Sequence, residues 1–84
     1  MAAPDAPVTL TPEQIDQINT RLGETRHNIN NHLSLIIAAV ELIKRKPDSA
    51  ERMVATIAQQ PDKIMTEMRG FSDDFEKVLQ VTPD

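Results

Sequence analysis

The sequence contains no cysteine, no tryptophan and no tyrosine, and its only aromatic residues are Phe71 and Phe75. Without cysteine, neither a disulfide framework nor a thiolate metal site can stiffen a small domain. With so few aromatic rings, the stacking platforms on which single-stranded nucleic-acid binders lay their bases are missing. No excess of positive charge compensates. Lys and Arg number 9 against 13 Asp and Glu, and the net charge is −4. The basic residues are scattered along the chain, which argues against nucleic acid or an anionic membrane as a partner. The longest apolar stretch, Leu35 to Val40, falls far short of the roughly 20 residues that span a bilayer. The opening MAAPDAP has neither the charged nor the apolar region of a secretion signal. A cytoplasmic protein is therefore expected. The 2 glycines, Gly23 and Gly70, are isolated, so no glycine-rich loop cradles a phosphate, and any phosphate has to arrive from a partner. No cofactor and no metal ion is expected.

What the chain does have is helical periodicity. Residues 1–10 contain Pro4 and Pro7 among small residues without a repeating pattern, and they read as a disordered arm. Thr11 then suits a helix N-cap, Pro12 the first helical position, and Glu13 the positive end of the helix dipole. Ile15, Ile18, Leu22, Thr25, Ile29, His32 with Leu33, Ile36, Val40 and Ile43 follow at alternating spacings of three and four, which is a heptad seam. This first helix is expected over about 12–46, ending where Lys44, Arg45 and Lys46 favour the negative dipole end and Pro47 forbids continuation. Asp48 and Glu51 have the spacing of a capping box and predict a second helix over about 49–79. Its seam runs Val54, Ile57, Pro61, Ile64, Met68, Phe71, Phe75, Val78. An interior proline costs about 3 kcal/mol, yet the seam keeps its phase across Pro61, which predicts one kinked helix. Residues 81–84 read as a frayed tail.

Two long helices joined by a short turn make an antiparallel hairpin, placed over 11–80. A chain of 84 residues buries only about 60–65% of the surface it exposes when unfolded, and a lone hairpin leaves much of both stripes wet. An all-α fold in which two hairpins form a homodimeric four-helix bundle is the expected architecture.

The stretch RHNINNHLSLI places two histidines and three asparagines in the middle of the first helix. At about 100° per residue, His32 falls beside the apolar seam and His27 on the opposite side. His32 reads as a hydrogen-bonded seam residue that helps set register. His27 taken alone reads as a solvated surface histidine, but Asn31 one turn later and Glu24 one turn earlier share its face. Farther along, Ala38 lies below His27, and Leu35 and Leu42 form a second apolar stripe off the seam. That stripe is either a docking surface for another protein or the edge of a broad core-facing arc. His27 and His32 diverge by about 140° and cannot chelate one ion within a chain. No hydroxyl side chain pairs with His27 in a recognisable nucleophilic triad.

The residues His27, Asn30, Asn31, Leu33 and Ile36 in HNINNHLSLI resemble the H-box of sensor histidine kinases, in the variant H-D-F-N-N-x-L-x-x-I. AAVELIKRKP and MRGFSDDF resemble further parts of the same dimerisation and histidine-phosphotransfer (DHp) domain, so that the similarity covers about residues 21–75. The resemblance implies a two-component phosphorelay in which His27 is the phosphoacceptor and passes the phosphoryl group to an aspartate of a response regulator receiver domain. It implies that Asn31 orients water or phosphate, and that Leu35, Ala38 and Leu42 dock the regulator. A separate histidine kinase catalytic domain would supply ATP. No nucleotide-binding motif follows the hairpin, so this chain is not expected to phosphorylate itself. The acidic residue that follows the histidine in the family is Asn28 here, which cannot accept a proton, and Glu24 is the candidate acid/base substitute. The alternative is a non-catalytic dimeric scaffold that binds and sequesters a kinase or regulator. A third reading is an oligomerisation hairpin unrelated to signalling.

Overall fold

The computed structural model describes residues 6–79. Residues 6–11 carry neither helix nor strand. The rest of the expected arm, residues 1–5, and the expected tail at 81–84 lie outside the described residues.

Helix α1 spans Pro12–Arg45. Its start is held by a reciprocal capping box: the Thr11 hydroxyl accepts from the Gln14 amide at 3.1 Å, and the Gln14 side chain accepts from the Thr11 amide at 2.8 Å. Lys44 and Arg45 lie in the last turn, and the Lys46 amide still donates to the Leu42 carbonyl at 2.7 Å. Lys46 itself leaves the helical region, with φ −134° and ψ 81°, because the ring of Pro47 crowds the backbone of the residue before it.

The turn differs from the expected one. Asp48 does not cap the second helix: Pro47–Ser49 form a 3-10 turn with no side-chain cap. Ser49 does the local work, as both its amide (2.9 Å) and its hydroxyl (2.7 Å) donate to the Lys46 carbonyl. With the Ser49 and Ala50 amides already donating to the Lys46 and Pro47 carbonyls, the chain runs into α2 without a capping aspartate. Helix α2 spans Ala50–Leu79 and continues through Pro61. The proline removes one intrahelical donor. Beside it, Gln60 folds its amide back to donate to the Thr56 carbonyl at 2.9 Å.

The two helices lie side by side in one layer measuring 57 × 25 × 11 Å. The smallest dimension is about one helix diameter, so both broad faces of the hairpin meet solvent. Ala39 is the only buried apolar residue among those described. The other buried residues are Thr25, Ser49, Gln60 and Glu76, and no hydrogen-bond partner is present for the Thr25 hydroxyl among the described residues.

The line of α1 that meets α2 is largely polar. Arg21 Nε donates to Asp74 Oδ2 at 2.7 Å, Asn28 Nδ2 donates to Glu67 Oε2 at 3.2 Å, and His32 Nδ1 bonds Gln60 Oε1 at 2.9 Å. Partner numbers fall on α2 as they rise on α1, which is the register of an antiparallel pair closed by the turn at Pro47. The apolar seam divides between two directions. Ile18, Ile36 and Ile43 are half-buried, whereas Ile15, Leu22, Leu33 and Val40 of α1 and Val54, Met65 and Met68 of α2 remain exposed.

Candidate functional site

Three successive polar contacts along α1 decide where its histidines point. Arg21, Asn28 and His32 all reach α2. At about 100° per residue, His27 projects between 100° and 140° away from each of them around the helix axis. His27 is accordingly exposed, and His32 is half-buried between the helices.

His32 is engaged through Nδ1. The Gln60 side chain is 2% exposed, and its Nε2 is committed to the Thr56 carbonyl, so Oε1 faces the ring and accepts from His32 Nδ1. This histidine ties α1 to α2 at one register, as a seam residue does.

His27 has one polar neighbour within hydrogen-bond distance among the described residues. The Asn31 amide nitrogen lies 3.4 Å from its Nε2. Side chains on a helix lean toward its N-terminus, so a residue one turn later reaches back over an earlier ring. Glu24 shares this face, but its carboxylate is drawn to Arg21 Nη1 at 3.8 Å. Arg21 in turn carries the Asp74 contact, and the hydrogen bond it donates to Asp74, with that carboxylate's charge, raises the guanidinium pKa above its ordinary value. Gly70 makes room for this group: a Cβ there would stand 3.0 Å from Arg21 Nη2.

Asn28 does not face His27. Its amide is turned across the hairpin to Glu67, and this is the feature that one helix considered alone could not disclose. Arg21, Gln60, Glu67 and Asp74 are the residues around the site that sequence reasoning missed. The available signal was the turn: once Pro47 closes the hairpin, each polar position on α1 has a counterpart at a similar distance beyond it.

No family model, curated protein or solved structure matches this chain. The site therefore rests on its own geometry.

Below His27, toward the turn, Leu35 and Ala38 are exposed and Leu42 is half-buried. His27, Asn31 and these three residues form one strip along α1. It is a polar head followed by an apolar track, on a side of the helix distinct from Ile15, Leu22 and Leu33. A concavity lies elsewhere. A groove of about 680 Å³ opens between the first turns of α1 and the last turns of α2, floored by Ile18, Phe71, Phe75 and Val78. The two phenyl rings stack with centroids 5.9 Å apart. Neither His27 nor Asn31 lines that groove. No cluster of three or more His, Asp or Glu side chains that could hold a metal ion occurs among the described residues, and no helix is long and apolar enough to cross a membrane.

Chemically, the strip offers an exposed imidazole whose Nε2 sits beside a side-chain amide, with an apolar track on one flank. An imidazole in that position can attack an electrophile presented by another molecule, because the ring is exposed.

Proposed function

We propose that this chain is a histidine-phosphotransfer module of a two-component phosphorelay, working as a homodimeric four-helix bundle. The observation that carries the reading is the placement of His27. It stands exposed on the outer side of α1, with Asn31 over its Nε2 and with Leu35, Ala38 and Leu42 below it. Phosphoryl transfer depends chiefly on bringing donor, acceptor and charge-stabilising groups into line. An exposed imidazole can meet first one partner and then another. Leu35, Ala38 and Leu42 dock a response regulator receiver domain, and Asn31 orients water or phosphate. A separate histidine kinase catalytic domain supplies the phosphoryl group.

The dimer follows from the uncovered arc. Ile15, Leu22, Leu33 and Val40 with Val54, Met65 and Met68 are exposed on a layer one helix thick. A second hairpin laid on this arc converts two open layers into a closed bundle and leaves the His27 strip facing outward.

The direct test is incubation with a phosphorylated receiver domain or a kinase catalytic domain. Label on the wild type but none on His27→Gln is the expected result, and absence of label with every such partner removes the relay.

A second reading is the non-catalytic scaffold, and two contacts favour it. Asn28 is held by Glu67 and Glu24 is drawn to Arg21, so no carboxylate is hydrogen-bonded to His27 among the described residues. In that case the chain binds a kinase or regulator without reacting. Binding that survives His27→Ala, with no phosphohistidine formed, distinguishes it.

A further inference from the structure

We propose that Asn31 is a positioning residue that donates an amide hydrogen to His27 Nε2 and thereby keeps the ring proton on Nδ1, so that the nitrogen with the free electron pair is the outer one. This deepens the phosphotransfer reading and rests on it for its consequence, though not for its geometry.

The Asn31 amide nitrogen lies 3.4 Å from Nε2. An amide nitrogen has hydrogens to give and no lone pair to offer, so Nε2 is the acceptor in this contact. A neutral imidazole has one acceptor nitrogen and one N–H, and which is which follows from the hydrogen bond that each makes. No opposing contact fixes the other tautomer. Asn28 and Glu24 are both engaged elsewhere, on Glu67 and on Arg21. Asn31 is thus the one side chain among the described residues placed to choose the tautomer. It does so from the outer end of the ring, whereas a carboxylate at position 28 or 24 would have to act by accepting from Nδ1–H.

The choice matters for reaction with a phosphoryl donor. The Nε2 lone pair forms the P–N bond as the bond from phosphorus to the donor's leaving atom breaks, and that bond's electron pair departs with the leaving atom. The ring becomes a phosphorylated imidazolium that retains its Nδ1 proton and then releases it to water. As Nε2 loses its lone pair, the Asn31 N–H exchanges one acceptor for another, moving from the nitrogen to a phosphoryl oxygen now attached to it. No donor is stranded at either stage. With the proton on Nε2 instead, the outer nitrogen has no lone pair with which to attack.

The test is long-range ¹H–¹⁵N correlation on the uniformly labelled protein, at a pH high enough that imidazolium signals have vanished. His27 is assigned by its loss in His27→Gln. His32 serves as the internal reference, because its Nδ1 donates to Gln60 and does not depend on Asn31. The wild type is expected to show a larger Nδ1–H share at His27 than Asn31→Ala does. Asn31→Ala lowers the Nδ1–H to Nε2–H ratio at His27 about two- to three-fold, the size suited to a long and solvent-exposed hydrogen bond, and leaves His32 unchanged. Asn31→Asp can only accept, and drives His27 to Nε2–H. A ratio that stays constant in Asn31→Ala, or that rises, overturns the proposal. Phosphoramidate, a small phosphoryl donor that needs no partner protein, separates the two readings. Tautomer shifts as described, but no phosphohistidine from phosphoramidate or from any kinase or receiver, sink the phosphotransfer reading while the Asn31 contact stands. Phosphohistidine at His27 together with an unmoved tautomer ratio sinks the Asn31 proposal alone.

Discussion

Two leucines of nearly equal exposure, Leu33 at 45% and Leu35 at 48%, allow the dimer to be tested against the docking strip. They are two residues apart and point about 160° away from each other around α1. Leu33 belongs to the arc with Ile15, Leu22 and Val40, and Leu35 lies on the side of His27. Full burial of a leucine side chain is worth about 1.5–3 kcal/mol. Covering the exposed 45% of Leu33 therefore contributes about 0.7–1.4 kcal/mol per copy, and a two-fold symmetric pair makes the contact twice. Leu33→Ala is expected to forfeit most of roughly 1.4–2.7 kcal/mol per dimer, weakening self-association about 10- to 100-fold. Alanine is the better helix former, which offsets part of the packing that Leu33 makes within the hairpin. Sedimentation equilibrium over a wide concentration range measures the dissociation constant directly, and the concentration dependence of the thermal midpoint provides an independent check. Leu35→Ala should leave the dissociation constant within a factor of about two. Equal weakening by the two variants would refute the assignment of faces. A chain that stays monomeric at every concentration would refute the bundle.

Three further outcomes follow from the seam between the helices. His32→Ala strands the buried Gln60 carbonyl oxygen and should cost about 1–3 kcal/mol in denaturant unfolding, whereas replacing His32 and Gln60 together by leucine should recover much of that loss; a double variant as unstable as the single one would contradict the pairing. Thr25→Val keeps the shape while removing a buried hydroxyl that has no partner among the described residues, so the urea midpoint should rise by the equivalent of about 1 kcal/mol. At Gly70, alanine gains about 1 kcal/mol of helix propensity but displaces the flexible end of Arg21, whose partly exposed pair with Asp74 is worth less than that; a raised thermal midpoint for Gly70→Ala is expected, and a lowered one would give the Arg21 cluster a larger structural share.

The ends of the helices show which signals a sequence carries by itself. Thr11 and Pro12 announce the start of α1 because capping is local: the groups that satisfy one another lie within three residues. Asp48 misled for the same kind of reason. Its spacing to Glu51 suits a capping box, but Pro47 holds Lys46 extended, and Ser49 then claims the Lys46 carbonyl, a competition among turn geometries that spacing does not report. Near the candidate site, the outward direction of His27 and the inward direction of His32 follow from a helical wheel. The fate of Asn28 does not, since its partner Glu67 lies 39 positions away.

Residue order alone determines that this chain makes two long helices, that they turn at Pro47, and that His27 stands opposite the apolar seam, because each of these depends on a period of about 3.6 or on a proline's fixed geometry. Periodicity does not determine how a helix is rotated about its own axis against its neighbour. The tertiary structure decided that α2 lies over the line of Arg21, Thr25, Asn28, His32 and Ala39, leaving Leu22, Leu33 and Val40 uncovered. The physical reason includes polar pairing: at the helix contact the Arg21, Asn28 and His32 side chains are matched by Asp74, Glu67 and Gln60, and Gln60, the one of these that is buried, needs its partner because an unpaired buried amide is costly.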